Sequence, residues 1–170
     1  LTPGQIALFE RYPETFRMPV YKSQRTVAFP QAVYDQVKAT AGQAKLVNGG
    51  DGISNFAHGS FAFPIPKSGA EVVWNHNTRY RLNVHRWYMQ AMPQTNGSFT
   101  LIKMEEEVGY PEQMSDVDAS TMPNTLLFFK QRVNAPARLA GNVLLVHDSL
   151  DQLKEPRMAW GYNAGQRRVR

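Results

Sequence analysis

The sequence predicts an α+β fold, with helices and extended arms over residues 1–79 and antiparallel strands joined in sequence over residues 80–170. Three observations carry this reading. Helix-start signals fall early, at Thr2-Pro3-Gly4-Gln5 and Ser68-Gly69-Ala70-Glu71, where Thr or Ser is followed three residues on by Gln or Glu. From Tyr80 the apolar period becomes two: Tyr80, Leu82, Val84 and Tyr88 point one way, and Arg81, Asn83, His85 and Trp87 the other. Asn96-Gly97 is the strongest hairpin dipeptide in the chain. The expected architecture is a curved antiparallel β-meander with the N-terminal helices packed on one face. It is read as a single domain or a fragment of one.

The elements follow in order. Thr2 caps a first helix, Pro3 suits its first position, and Ile6, Phe9 and Leu8 form a short apolar face before Tyr12-Pro13 closes it. Arg17 to Phe29 reads as extended, with Val20 and Val27 β-branched and prolines at 19 and 30. Pro30 opens a second helix with Val33, Tyr34 and Val37 on one face, and Gly42 ends it. Ala44 to Val47 reads as a brief strand and Asn48-Gly49-Gly50-Asp51-Gly52 as a turn. Phe61-Ala62-Phe63-Pro64-Ile65-Pro66 is apolar, but its alternating prolines forbid a central strand, so it is expected to pack as an extended arm. Ser68 to Glu71 opens a third helix, anchored by Trp74 beside Val73.

In the second half, the strand from Tyr80 is joined through Asn96-Gly97 to Phe99 through Val108, with Glu105, Glu106 and Glu107 at its exposed end. Gly109 to Pro123 is a polar loop. Thr125 to Val133 has apolar residues on both faces (Leu126, Leu127, Phe128, Phe129), which calls for cover on both sides. After the turn Asn134-Ala135-Pro136 come two short apolar runs, Leu139 to His147 and Pro156 to Tyr162, around a polar joint from Asp148 to Glu155. Met158, Trp160 and Tyr162 alternate with Arg157, Ala159 and Gly161. The arginines at 167, 168 and 170 read as the beginning of a further strand, so the chain looks like an excised piece.

Composition narrows the function. Apolar residues are 42% of the 170 and charged residues 19%, enough for a core and too few charges for disorder. The net charge is +5, and Arg167, Arg168 and Arg170 supply three of it, so the basic character is mainly local and a weak argument for nucleic acid, which is not expected as a partner. No apolar run is long enough to span a bilayer. With no cysteine there are neither disulfides nor thiolate metal sites.

Catalytic patterns are weak. His58, His76, His85 and His147 show no helical His-x-x-x-His spacing, so a metal site would need carboxylates from elsewhere in the chain. His147-Asp148-Ser149 has triad residue types, but neighbours on a strand diverge. The same argument reads Glu105, Glu106 and Glu107 as a solvated strand end. Gly49-Gly50-Asp51-Gly52 lacks the Lys-Ser/Thr of a phosphate loop. Lys154, Arg157 and the terminal arginines read as a polar strand face. The strand aromatics and methionines (Trp87, Tyr88, Met89, Phe128, Phe129, Met158, Trp160, Tyr162) read mostly as core, with part of the face left as an apolar groove. No catalytic residue, metal or cofactor is expected.

Three stretches carry a resemblance: LTPGQIALFERYPETFRMPVYKSQRTVAFPQAVYD, FPIPKSGAEVVWNHNTRYR and PARLAGNVLLVHDSLDQLKEPRMAWGYNAGQRRVR. They resemble a proteobacterial family of uncharacterised exported proteins, frequent in pseudomonads, that is described as outer-membrane lipoprotein-sorting-like. The resemblance implies a fold related to the lipoprotein carriers LolA and LolB: an unclosed, curved half-barrel with a helical lid over an apolar cavity for acyl chains. It also implies a longer protein with a signal peptide, placed in the periplasm or on the periplasmic face of the outer membrane, beside an envelope transport system. The function expected is therefore a non-catalytic carrier or chaperone for a lipid-like or other hydrophobic ligand. Its cavity would be lined by Leu82, Val84, Tyr88, Phe128, Met158, Trp160 and Tyr162, if the face of Tyr80 and Leu82 is the concave one. Arg138 or Arg157 would meet a head group. The rival expectation is an interaction subunit of a transporter with no ligand cavity. An enzyme would need two titratable groups converging in a cleft.

Overall fold

A computed structural model describes residues 1–24 and 28–170. Val27 lies outside the described residues. The flanking parts of the expected extended stretch, residues 17–24 and 28–29, form neither helix nor strand. The described elements are three α-helices, a two-stranded hairpin and a six-stranded antiparallel sheet. The helices are α1 (Pro3–Arg11), α2 (Gln31–Thr40) and α3 (Gly69–Thr78). The small hairpin is β1 (Lys45–Val47) with β2 (Gly52–Ser54). The sheet runs in chain order through β3 (Val84–Pro93), β4 (Phe99–Gly109), β5 (Thr125–Ala135), β6 (Val143–Ser149), β7 (Met158–Asn163) and β8 (Arg168–Val169). It is a pure meander and does not close into a barrel.

Local chemistry explains the helix starts. The Thr2 hydroxyl accepts from the Gln5 N–H at 3.3 Å while the Gln5 side chain accepts from the Thr2 N–H at 2.8 Å, a complete capping box. Ser68 accepts from the Glu71 N–H at 3.3 Å, but Glu71 reaches the Lys67 N–H instead of closing the box on Ser68. Gly42, at φ 80°, follows the end of α2 in a conformation that favours glycine.

The core sits at one corner of the sheet. Trp74, Ile53, Ala62, Phe63 and Leu150 pack together, with Leu126 and Leu46 partly buried against them. The Trp74 indole N–H donates to the Gly50 carbonyl at 2.9 Å, tying α3 to the small hairpin. The Phe61 to Pro66 arm is extended as expected, and the Asn75 amide clamps it by bonding both Phe63 N–H and Phe63 C=O at 2.8 and 2.6 Å. The Ile53 N–H donates to the Leu150 carbonyl at 3.0 Å, so the hairpin attaches to the end of β6. Asn124 locks the same corner: its side chain accepts from the Asp151 N–H and donates to the Asp151 carbonyl, at 2.9 and 3.1 Å.

The helices do not cover a sheet face. No residue of α1 is buried, Val33 is the buried residue of α2, and among the described residues α3 meets the sheet at the Leu150–Leu126 corner. The strand aromatics are not mostly core either: Trp87 is 67% exposed, Met89 62%, Met158 43% and Tyr162 37%. Strand boundaries also move. The sheet begins at Val84, because Asn83 is drawn away to bond the Tyr110 N–H and the Gln113 carbonyl at 2.9 Å each. Residues 136–142 form a turn ahead of β6, not the start of a strand from Leu139. Of the terminal arginines only Arg168 enters a strand, opposite Asn163, with Val169 opposite Tyr162, while Arg167 lies in the preceding turn at φ 52°.

Candidate functional site

Cross-strand register decides which side chains share a face, since paired residues point the same way. One face carries Val84, Tyr88, Glu106, Phe129 and Leu144; it is called the Glu106 face. The other carries His85, Glu107, Phe128, His147 and Trp160; it is called the Trp160 face. On β4 the two differ sharply. Ile102, Met104 and Glu106 are buried, whereas Phe99 and Leu101 on the opposite side are exposed.

The residues expected to line one cavity are divided by this register. Val84 and Tyr88 lie on the Glu106 face, and Phe128, Met158, Trp160 and Tyr162 on the Trp160 face. Leu82 precedes β3 and is 63% exposed. Within each strand the residues share a face as a period of two requires, but the period does not align one strand's parity with another's. Arg157 is committed to Asp148 by two bonds of 2.9 and 2.8 Å, which hold its guanidinium above its ordinary pKa. Arg138 lies exposed in the turn between β5 and β6.

Two adjoining cavities open on the Trp160 face. The first, of about 450 Å³, lies at the ends of β3, β4 and β5 and is lined by His85, Gly109, Met114, Phe128 and Leu145, with Val84 at its rim. Gly109 makes its roof possible. A Cβ there would stand 3.2 Å from the Met114 sulfur, so glycine lets the thioether lie over the strand. Beyond Phe128 an aromatic ladder continues, with His147 4.8 Å from the Phe128 ring and 4.9 Å from the Trp160 ring. The second cavity, of about 340 Å³, is mixed in character and is lined by Glu105, Arg132, Val143 and Tyr162. Glu107 and Lys130 border both.

The wall between them is built by register. His85 pairs with Glu107, and Glu107 with Lys130, giving one row across three strands. Trp87, Glu105 and Arg132 form the next row. The His85 Nε2 lies 2.8 Å from the Glu105 carboxylate, Lys130 Nζ lies 3.1 Å from Glu107, and the His85 and Trp87 rings are 4.3 Å apart. Hydrogen bonding to His85 holds the Glu105 carboxyl below the usual carboxylate range. Glu105 and Glu107 therefore converge, contrary to their reading as a diverging strand end, and Glu106 alone points away. On the opposite face Glu106 is buried against Arg86 at 2.8 Å, and the Gln131 amide donates to the Tyr88 hydroxyl at 2.7 Å.

The other histidines stay apart from this wall. His58 faces Glu112 at 3.4 Å, and His76 lies in the last turn of α3. Asp148 points away from His147 to Arg157, and the Ser149 hydroxyl donates to the Glu155 carbonyl at 2.6 Å, so no relay forms among them.

Residues 1–170 match the family described as "Protein of unknown function (DUF1329)". The chain belongs to the DUF1329 family. It is also 53% identical over 171 residues to a protein of Pseudomonas aeruginosa strain PAO1 named "Uncharacterized protein PA3922", matching 100% of this chain and 37% of that protein. This DUF1329 chain thus spans about a third of the length of that relative. No solved structure matches it. No helix among the described residues is long and apolar enough to cross a membrane.

Proposed function

We propose that this DUF1329 chain is a non-catalytic carrier or chaperone that holds a lipid-like or other hydrophobic ligand on the Trp160 face, as an incomplete LolA-like half-barrel would. Its place would be the periplasm or the periplasmic face of the outer membrane. The observation that carries the reading is the cavity of about 450 Å³ bounded by Met114, Phe128 and Leu145, a volume within the range of small-ligand sites. The aromatic ladder through His147 to Trp160 extends the same apolar surface. Burying about 200 Å² of ligand there gives about 5 kcal/mol at roughly 25 cal/mol per Å², before the entropy of binding is subtracted.

The test is displacement of a fluorescent fatty-acid probe, with native mass spectrometry of protein purified without detergent. The reading expects probe binding that Phe128→Asp and Leu145→Asp abolish and that Leu82→Asp leaves intact. Failure of the folded protein to bind the probe, together with no co-purifying lipid, overturns it.

A second reading has its own support. The outer edge of β3 is an end of the sheet, and Trp87 and Met89 stand exposed beside Phe99 and Leu101. In this reading the chain is an interaction subunit of an envelope transport system and docks its transporter through this edge. Met89→Lys would then abolish partner capture without affecting the fatty-acid probe.

A further inference from the structure

We propose that His85, Glu105 and Glu107 form a binding site for one divalent transition-metal ion of the zinc type. Each offers one ligand atom, and the three atoms lie within 4.8 Å of one another. Ligands about 2.1 Å from a tetrahedral zinc stand about 3.4 Å apart, so small rotations of the carboxylates close the site. The backbone already sets the three positions. His85 stands opposite Glu107 in the β3–β4 ladder, and Glu105 follows two residues along on the same face. The Trp87 ring, 4.3 Å from the imidazole, supports its orientation.

The donor set selects the ion. Calcium and magnesium prefer six or more oxygens, whereas one imidazole nitrogen with two carboxylates suits zinc and its neighbours. Two carboxylates and a neutral imidazole together carry the −2 that balances a divalent cation. Three protein ligands leave a fourth coordination position, and Glu107 borders both cavities, so there is room beside it for water or an anionic group. Lys130 competes, since its ammonium lies 3.1 Å from Glu107 and must release that carboxylate when the metal enters. A plain ion-pair network, His85 with Glu105 and Lys130 with Glu107, is the rival account, and the two predict opposite behaviour.

Isothermal titration of zinc chloride into protein carrying no affinity tag decides between them. The chain has no cysteine, so thiolates cannot account for binding. The metal site predicts saturable uptake of one ion per chain. His85→Gln and Glu105→Gln each weaken it by at least about tenfold, and His76→Gln on α3 leaves it unchanged. Lys130→Met tightens it, because Glu107 is freed. The ring carbons of His85 shift in the NMR spectrum on titration. Circular dichroism of each variant separates loss of ligand from loss of fold, and Glu105→Gln stands in if His85→Gln does not fold. Absence of saturable uptake by the wild-type protein overturns the proposal, as does uptake that both ligand variants leave unaltered.

Discussion

Arg86 should matter more than its 60% side-chain exposure suggests, because its partner Glu106 is only 8% exposed. Arg86→Ala strands that carboxylate beside Tyr88, whose phenol burial and Glu106 already push above its ordinary pKa. The expected loss is about 1–3 kcal/mol by urea denaturation, the cost of an unpaired buried group, and not the fraction of a kcal/mol typical of a surface pair. Glu105 gives a pH prediction. Its folded pKa lies below its unfolded value, so its contribution to stability is present above the unfolded pKa and is lost as pH falls through the folded one. Glu105→Gln should therefore flatten the decline of stability below the ordinary carboxylate pKa of about 4.3. Thermal melts across that range read the difference directly. In the core, Ile53 is 1% exposed, so Ile53→Ala should cost about 2–5 kcal/mol.

Among the elements, the β3–β4 hairpin has the most consequence for the site. Gly97 adopts φ 83°, and the Asn96 side chain accepts from the Ser98 N–H at 3.0 Å and the Ser98 hydroxyl at 2.7 Å. Gly97→Val should destabilise the hairpin by about 1 kcal/mol or more and broaden the amide signals of β3. This turn was legible from Asn96-Gly97, as were the helix starts at Thr2, Pro30 and Ser68, because each rests on contacts within a few residues. The short strand β2 was not legible: three residues, Gly52–Ser54, are too few to show a period, and the pairing with β1 gives them their form. The His85–Glu107 pairing, by contrast, was within reach. The two residues are equidistant from Asn96, so counting outward from the turn would have set the register and shown Glu105 and Glu107 on the side of His85. Comparing consecutive glutamates instead of alternate ones hid it. The division of the expected cavity residues between two faces was beyond such counting. The connection from β4 to β5 is long, and a shift of register between Lys103 and Met104 interrupts their ladder.

At the scale of the whole molecule, the Trp74 core cluster lies at one corner and the candidate site on the Trp160 face of the sheet. Helices α1 and α2 add little burial to the sheet, so removing residues 1–11 should leave the melting temperature nearly unchanged, whereas Trp74→Ala should lower it by many degrees. The Asn124–Asp151 lock joins the approach to β5, the exit of β6 and, through the Asn48 amide bonded to Asp151 at 2.7 Å, the small hairpin. Three chain segments far apart in sequence thus meet at a single polar knot beside Leu150. Its consequence is a gradient of opening. Amide hydrogen exchange should be slowest at Ile53, Leu150 and Asp151, whose N–H groups bond into the knot, and fastest toward the Asn96 tip and the two-residue strand β8. The proposed binding face then lies between a clamped end and a fraying one, and a ligand spanning them would be released by peeling of the sheet from its free end, with the core still intact.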